Sequence, residues 1–320
     1  MPLPTCRPIG PCRPRSVLSL VVVALLARQA TAAEEGRPRW ELRKGDRIVL
    51  LGDTVIEREG DRGAIETALV GTHPGGEFTV RNLGWSGDTV WADSRGVFDA
   101  PSAGYARLIE LVGSLAPTVV FVAYGRNESF AGPDGVTAFR EQLARLCGDL
   151  RAGSGEHPPR LVLVTPPPFE ATPPLPAAAA AARNRALADY AAAIRAVAAE
   201  EGAGLVDLFA AIGDALPAGA RLTENGVHLT ESGYDAAAAV FAASGGHPLS
   251  GDFAGRTRAL REAVVAKNRL FFHRWRPANE TYLFLFRRHE QGNNAVEIPR
   301  FDPLVAEAEA TVRTLAREVR

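Results

Sequence analysis

Five short β-branched runs, separated by longer stretches of helical periodicity, most narrow what this chain can become. The runs are residues 47–51, 78–82, 118–124, 160–165 and 204–207; the helical stretches are about 60–70, 104–115, 134–151 and 177–201. Parallel strands need a crossover of a dozen or more residues, and helices supply one. The prediction is an α/β fold, a three-layer α/β/α sandwich around a five-stranded parallel sheet, flavodoxin-like in its layers. Ligands in such sheets sit outside the carboxyl ends of the strands, so residues just after each run are the ones to search.

Two segments fall outside this rhythm. At the N-terminus Arg7, Arg13 and Arg15 precede an apolar run over 17–27, and Ala30-Thr31-Ala32 follows it. That order is expected of a signal peptide spanning 1–32, and a run of eleven residues is too short to cross roughly 30 Å of hydrocarbon. Its removal leaves 32 basic against 37 acidic residues and takes Cys6 and Cys12 away, so Cys147 has no partner for a disulfide. The expectation is a mildly acidic protein, secreted or periplasmic, with no stable membrane span, no basic field for nucleic acid and no metal site built on cysteine pairs. A main domain over 40–250 is then followed by a C-terminal extension, 251–320. Within it, residues 271–286 hold six aromatics among His273, Arg274, Arg276 and Glu280. Such a cluster is either core packing or a substrate-facing wall on the cleft, since aromatics with Arg and His suit sugars or anions.

Inside the main domain, prolines 166, 167, 168, 173, 174 and 176 make an extended loop after the fourth run. The Ala-rich stretch beyond it carries Leu187, Tyr190, Ile194 and Val197 at three- and four-residue spacing and reads as an amphipathic helix. Four loops carry chemistry: Gly52-Asp53-Thr54; Asn82 to Thr89 with Ser86-Gly87-Asp88-Thr89 at its end; Gly125-Arg126-Asn127-Glu128; and Asn225-Gly226-Val227-His228, expected to open the final helix. Together they supply a hydroxyl, a glycine loop of N–H donors, a side-chain amide and an imidazole, the parts that acyl transfer needs. Read singly, Gly87 is a turn glycine, Asn127 a helix cap and His228 a surface residue. Their order and spacing join them.

In that order the blocks resemble those of the SGNH (GDSL-type) hydrolases, over about residues 47–234. The resemblance implies Thr54 at the nucleophile position, His228 as base, Gly87 N–H and the Asn127 amide as oxyanion hole, and Asn225 where the family carries the acid that orients the histidine. Asp53 and Glu224 are supporting residues, Glu224 as a substitute acid through a shifted turn. Two departures stand out. Thr54 brings a methyl that restricts χ1, and an amide at 225 cannot stabilise an imidazolium as a carboxylate does.

The implied activity is hydrolysis of a small acyl ester, such as an acetyl group on carbohydrate, with no cofactor. Two other classes remain open: a binding module that kept the cleft and lost the triad, and an assembly partner in the cell envelope. No Gly-x-Gly-x-x-Gly follows the first run, which disfavours a dinucleotide site.

Overall fold

A computed structural model of the protein describes residues 40–319; the expected signal peptide, with Cys6 and Cys12, lies outside the described residues. Five strands, β1 (Arg47–Gly52), β2 (Thr79–Gly84), β3 (Val119–Ala123), β4 (Arg160–Thr165) and β5 (Gly204–Asp207), form one parallel sheet in the order β2-β1-β3-β4-β5. The longer helices are α1 (Thr54–Arg62), α2 (Ala64–Gly71), α3 (Pro101–Ser114), α4 (Val136–Ala152), α5 (Ala177–Glu200), α6 (Leu208–Ala215), α7 (Glu231–Ser244), α8 (Arg258–Trp275) and α9 (Phe301–Glu318). Strand periodicity of two assigns each β1 side chain to a layer. Ile48 and Leu50 enter a core with Ile65, Leu69, Phe241 and Val264 of α2, α7 and α8. Val49 and Leu51 enter the opposite core with Leu108, Phe139, Leu146, Tyr190 and Ile194 of α3, α4 and α5. Each such buried Leu or Ile contributes about 1.5–3 kcal/mol relative to exposure. The α/β/α sandwich is therefore the observed architecture.

Two expectations are corrected. The first helix begins at Thr54 rather than near residue 60, because the Asp53 side chain accepts a hydrogen bond from Val55 N (2.9 Å) and caps it; Gly63, at φ +64°, then ends α1 and begins α2. The Asn225–His228 loop does not open the final helix. Thr230 caps α7, which starts at Glu231, and α8 and α9 follow.

The C-terminal helices complete the sheet edge. Edge strand β2 has a free side, and Val80 offers it an N–H that donates to Glu309 Oε1 (3.2 Å) and a carbonyl that accepts from Lys267 Nζ (2.8 Å). Lys267 also pairs with Glu66 at 2.7 Å, both buried. Polar side chains on α8 and α9 thus cover an edge that would otherwise be a pairing template. Cys147 is a buried free thiol. Among the described residues no helix is long and apolar enough to cross a membrane.

Candidate active site

β1 lies between β2 and β3, so the chain leaves it at the point where the strand order reverses. Thr54 stands there, half-buried, in the first turn of α1. Two glycines allow the loops to converge on it. A Cβ at Gly84 would lie 2.0 Å from Glu57 N, so only glycine lets the end of β2 approach α1, and Gly87 adopts φ +72° in the loop beyond. The Gly87 N–H donates to Thr54 Oγ1 at 3.2 Å. Asp88 fixes that loop from beneath: its buried carboxylate accepts from Arg95 Nε (2.6 Å) and the Tyr124 hydroxyl (2.8 Å).

After β3, Asn127 Nδ2 donates to the Asp88 carbonyl at 2.7 Å. One amide hydrogen therefore holds the glycine loop, and the second makes no hydrogen bond among the described residues. Glu128 ties the same two loops together by accepting from Val90 N and Gly125 N, both at 2.8 Å. Burial pushes its carboxyl up to about 7. Asp53 is raised to about 6 by burial, against the pull of the Arg126 guanidinium.

His228 lies in the loop before α7. Burial and the Arg58 guanidinium lower its pKa, with Glu224 opposing, which favours the neutral imidazole. Asn225 Oδ1 accepts from the backbone N–H groups of Val227 (3.1 Å) and His228 (3.0 Å), which turns Nδ2 towards His228 Nδ1 at 3.4 Å. An amide nitrogen only donates. The contact therefore favours the tautomer with Nδ1 bare and the hydrogen on Nε2, where a general base would need a lone pair. The Glu224 carboxylate pairs with Arg58 (3.3 Å) and Arg62 (3.0 Å) rather than with the His228 ring.

Thr54 and His228 line one cavity of about 750 Å³, together with Glu57, Arg58, Asp61, Ser86 and the α8 residues Arg269, Phe272, His273 and Trp275. Of the four polar candidates in the C-terminal segment, His273 reaches the cavity directly. Arg276 reaches its wall: it pairs with Glu57 at 2.7 Å and stacks 3.6 Å from the Trp85 ring centroid, while Glu57 also accepts from Ser86 Oγ. Arg274 turns away to Asp302 (2.7 Å). Glu280 does not line the cavity; burial raises its pKa against Arg107 and Arg276. Sequence reasoning passed over Glu57 and Arg58, whereas Phe272 belongs to the aromatic cluster it singled out. Glu57 and Arg58 lie one turn beyond Thr54, a helical spacing that becomes visible only once α1 is known to start there.

A model of the GDSL-like lipase/acylhydrolase family matches residues 50–236. The chain belongs to that family. No curated protein matches it. Among solved structures, this GDSL-like hydrolase resembles a Parabacteroides merdae protein described as a GDSL-like lipase, with 18% identity and a TM-score of 0.50, over 65% of this chain and 99% of that one. It also resembles a lipase/acylhydrolase from Enterococcus faecalis, with 21% identity and a TM-score of 0.43, over 64% and 100% of the two chains. A third is a gut microbial diltiazem-metabolizing enzyme, with 20% identity and a TM-score of 0.49; the match covers 66% of this chain but about half (49%) of that enzyme's length. At 18% identity the likeness to the Parabacteroides merdae protein is one of fold.

Proposed function

We propose that the protein is an exported hydrolase of small acyl esters, acting on an acetyl-sized group carried by a carbohydrate. The observation that carries the reading is the hydrogen bond from Gly87 N–H to Thr54 Oγ1, on the cavity that His228 also lines. In the proposed reaction His228 Nε2 takes the Thr54 hydroxyl proton as Oγ1 attacks the ester carbonyl. The Gly87 N–H and the second Asn127 amide hydrogen stabilise the resulting oxyanion. The intermediate collapses to an acyl-threonine, and His228 returns the proton to the departing alcohol. Water, activated by the same imidazole, then releases the acid. Turnover is slow because the productive His228 tautomer is the minor one. Phe272 and Trp275 beside Arg58, Asp61 and Arg269 support a sugar as the alcohol, and the basic, apolar and small-residue order of 1–32 supports export.

A second reading has one observation in its favour. The Asn225 amide facing His228 Nδ1 suits a cleft that holds an ester without hydrolysing it. Hydrolysis of p-nitrophenyl acetate by the protein lacking residues 1–32, beside Thr54→Ser and Thr54→Ala, separates the two. The esterase reading expects Thr54→Ser to match or exceed wild type and Thr54→Ala to lose turnover, because the hydroxyl is kept in one and removed in the other. Equal turnover in wild type and Thr54→Ala excludes Thr54 as nucleophile; no turnover in any of the three favours the binding module.

A further inference from the structure

We infer that Arg126 is a positioning residue that sets His228 against Thr54 and Asn127 by clamping three loops at the sheet's carboxyl edge. The inference rests on the esterase reading of this cleft for its kinetic consequences, but its geometry stands apart from that reading. Arg126 lies in the third loop, next to Asn127, and is only 3% exposed. Its Nη1 donates to the carbonyl of Val227, the residue before His228, at 3.0 Å, and its Nη2 to the Pro167 carbonyl at 2.5 Å. The guanidinium also lies 5.1 Å from the ring centroid of Phe169, whose backbone N and O are held by the Asn184 amide at 2.8 Å each. The proline loop is thereby fixed to α5, and the histidine loop is fixed to both.

A buried cation is expensive unless something compensates it. Here Asp53, the residue before Thr54, supplies an opposing charge nearby, without a direct ion pair. Asn225 Oδ1 caps that loop from within, through Val227 N and His228 N, but makes no link to the sheet. Arg126 supplies a link from the third loop, beside the Glu170 N–H that donates to the Gly226 carbonyl from the proline loop (3.1 Å). A planar fork can reach two carbonyls at a fixed angle, which a lysine point charge cannot do. The charged groups facing His228 are Arg58 and Arg126, which disfavour the imidazolium, and Glu224, which favours it. Arg126 therefore acts on the ring's proton affinity as well as on its position.

The test uses Arg126→Met and Arg126→Lys in the otherwise intact protein, with p-nitrophenyl acetate kinetics and an NMR titration of the His228 ring. In Arg126→Met we expect kcat to fall about 10- to 10²-fold, the scale of a misplacement near 1 Å, with KM changed less than about threefold, and the His228 midpoint to rise. Arg126→Lys keeps the charge, so its kcat falls while its midpoint stays with wild type. A folded Arg126→Met with wild-type kcat and an unmoved His228 midpoint overturns the inference. If Arg126→Met does not fold, Arg126→Lys decides: lowered kcat supports the clamp and wild-type kcat overturns it. If wild type itself has no turnover, the esterase reading fails and the titration alone decides on Arg126, an upward midpoint in Arg126→Met supporting it and an unmoved one overturning it.

Discussion

Replacing Asn225 by Asp should activate the enzyme. One carboxylate oxygen keeps the hydrogen bonds from Val227 N (3.1 Å) and His228 N (3.0 Å), and the other takes the place of the amide nitrogen, 3.4 Å from Nδ1. The ring contact then reverses: Nδ1–H donates, and Nε2 is left with the lone pair that the Thr54 proton needs. The charge adds a second effect by stabilising the imidazolium formed as the proton moves. At a separation near 4 Å that attraction is about 1 kcal/mol in water and about 4 kcal/mol at an effective dielectric of 20. The corresponding gain in kcat is roughly 5-fold to 10³-fold. Position 225 is exposed, so a gain of a few tens is expected, short of the roughly 10⁴-fold lost when the buried triad acid of a serine protease becomes an amide. The acid limb of kcat/KM should also move to higher pH, because a carboxylate raises a histidine pKa now held down by burial and Arg58. The assay is p-nitrophenyl acetate hydrolysis from pH 5 to 9, with ¹⁵N NMR reporting the tautomer. An Asn225→Asp protein whose Nδ1 is protonated but whose kcat is unchanged would refute His228 as the base; one whose tautomer is unchanged would refute the role given to the amide.

Two further outcomes follow from burial. Glu59 is fully buried, with Oε1 accepting from Glu66 N (3.1 Å), and burial raises its pKa to about 8; the folded state therefore holds a proton between about pH 4.5 and 8 that the unfolded state has lost, and stability falls as pH rises across that window, by about 1.4 kcal/mol per pH unit at most. Glu59→Gln should remove this slope, so its stability advantage over wild type in urea should be larger at pH 7.5 than at pH 5, and an equal difference at both would show that Glu59 is not protonated in the fold. Trp275→Ala should raise KM for an acetylated monosaccharide by up to about tenfold, since an aromatic contact is worth about 0.5–1.5 kcal/mol; an unchanged KM would remove the carbohydrate from the proposed substrate.

The five strands and the loops after them were legible because they follow from short-range patterns. The run at 160–165 needs only β-branched residues and flanking breaks to read as a strand; Gly87, Asn127 and His228 lie in polar loops between such patterns, and Thr54 follows a strand directly. The start of α1 was hidden because its exposed face is charged through Glu57, Arg58, Asp61 and Arg62, so the apolar spacing surfaced only in α2. What escaped entirely depends on partners far away in the chain. Lys267 and Glu309 satisfy Val80 from 187 and 229 residues further on, and no local pattern marks a lysine as the cover of a strand edge.

Asn225 shows the same limit at a single residue. From sequence, an amide at the acid position reads as a weakened acceptor for Nδ1–H. In the fold its oxygen is already committed to the backbone of its own loop, and the group left to meet the ring is a donor. The change is then one of sign rather than of strength, because it selects the tautomer instead of merely stabilising it less. That difference has a kinetic signature. A weakened acceptor would lower the rate while leaving Nδ1 protonated, whereas a donor leaves Nδ1 bare and makes kcat depend on a tautomer exchange that a carboxylate at 225 abolishes. Arg126 matters more in such a site: with the amide spent on holding the loop's own turn, the guanidinium ties the residue before His228 to the loop that carries Asn127.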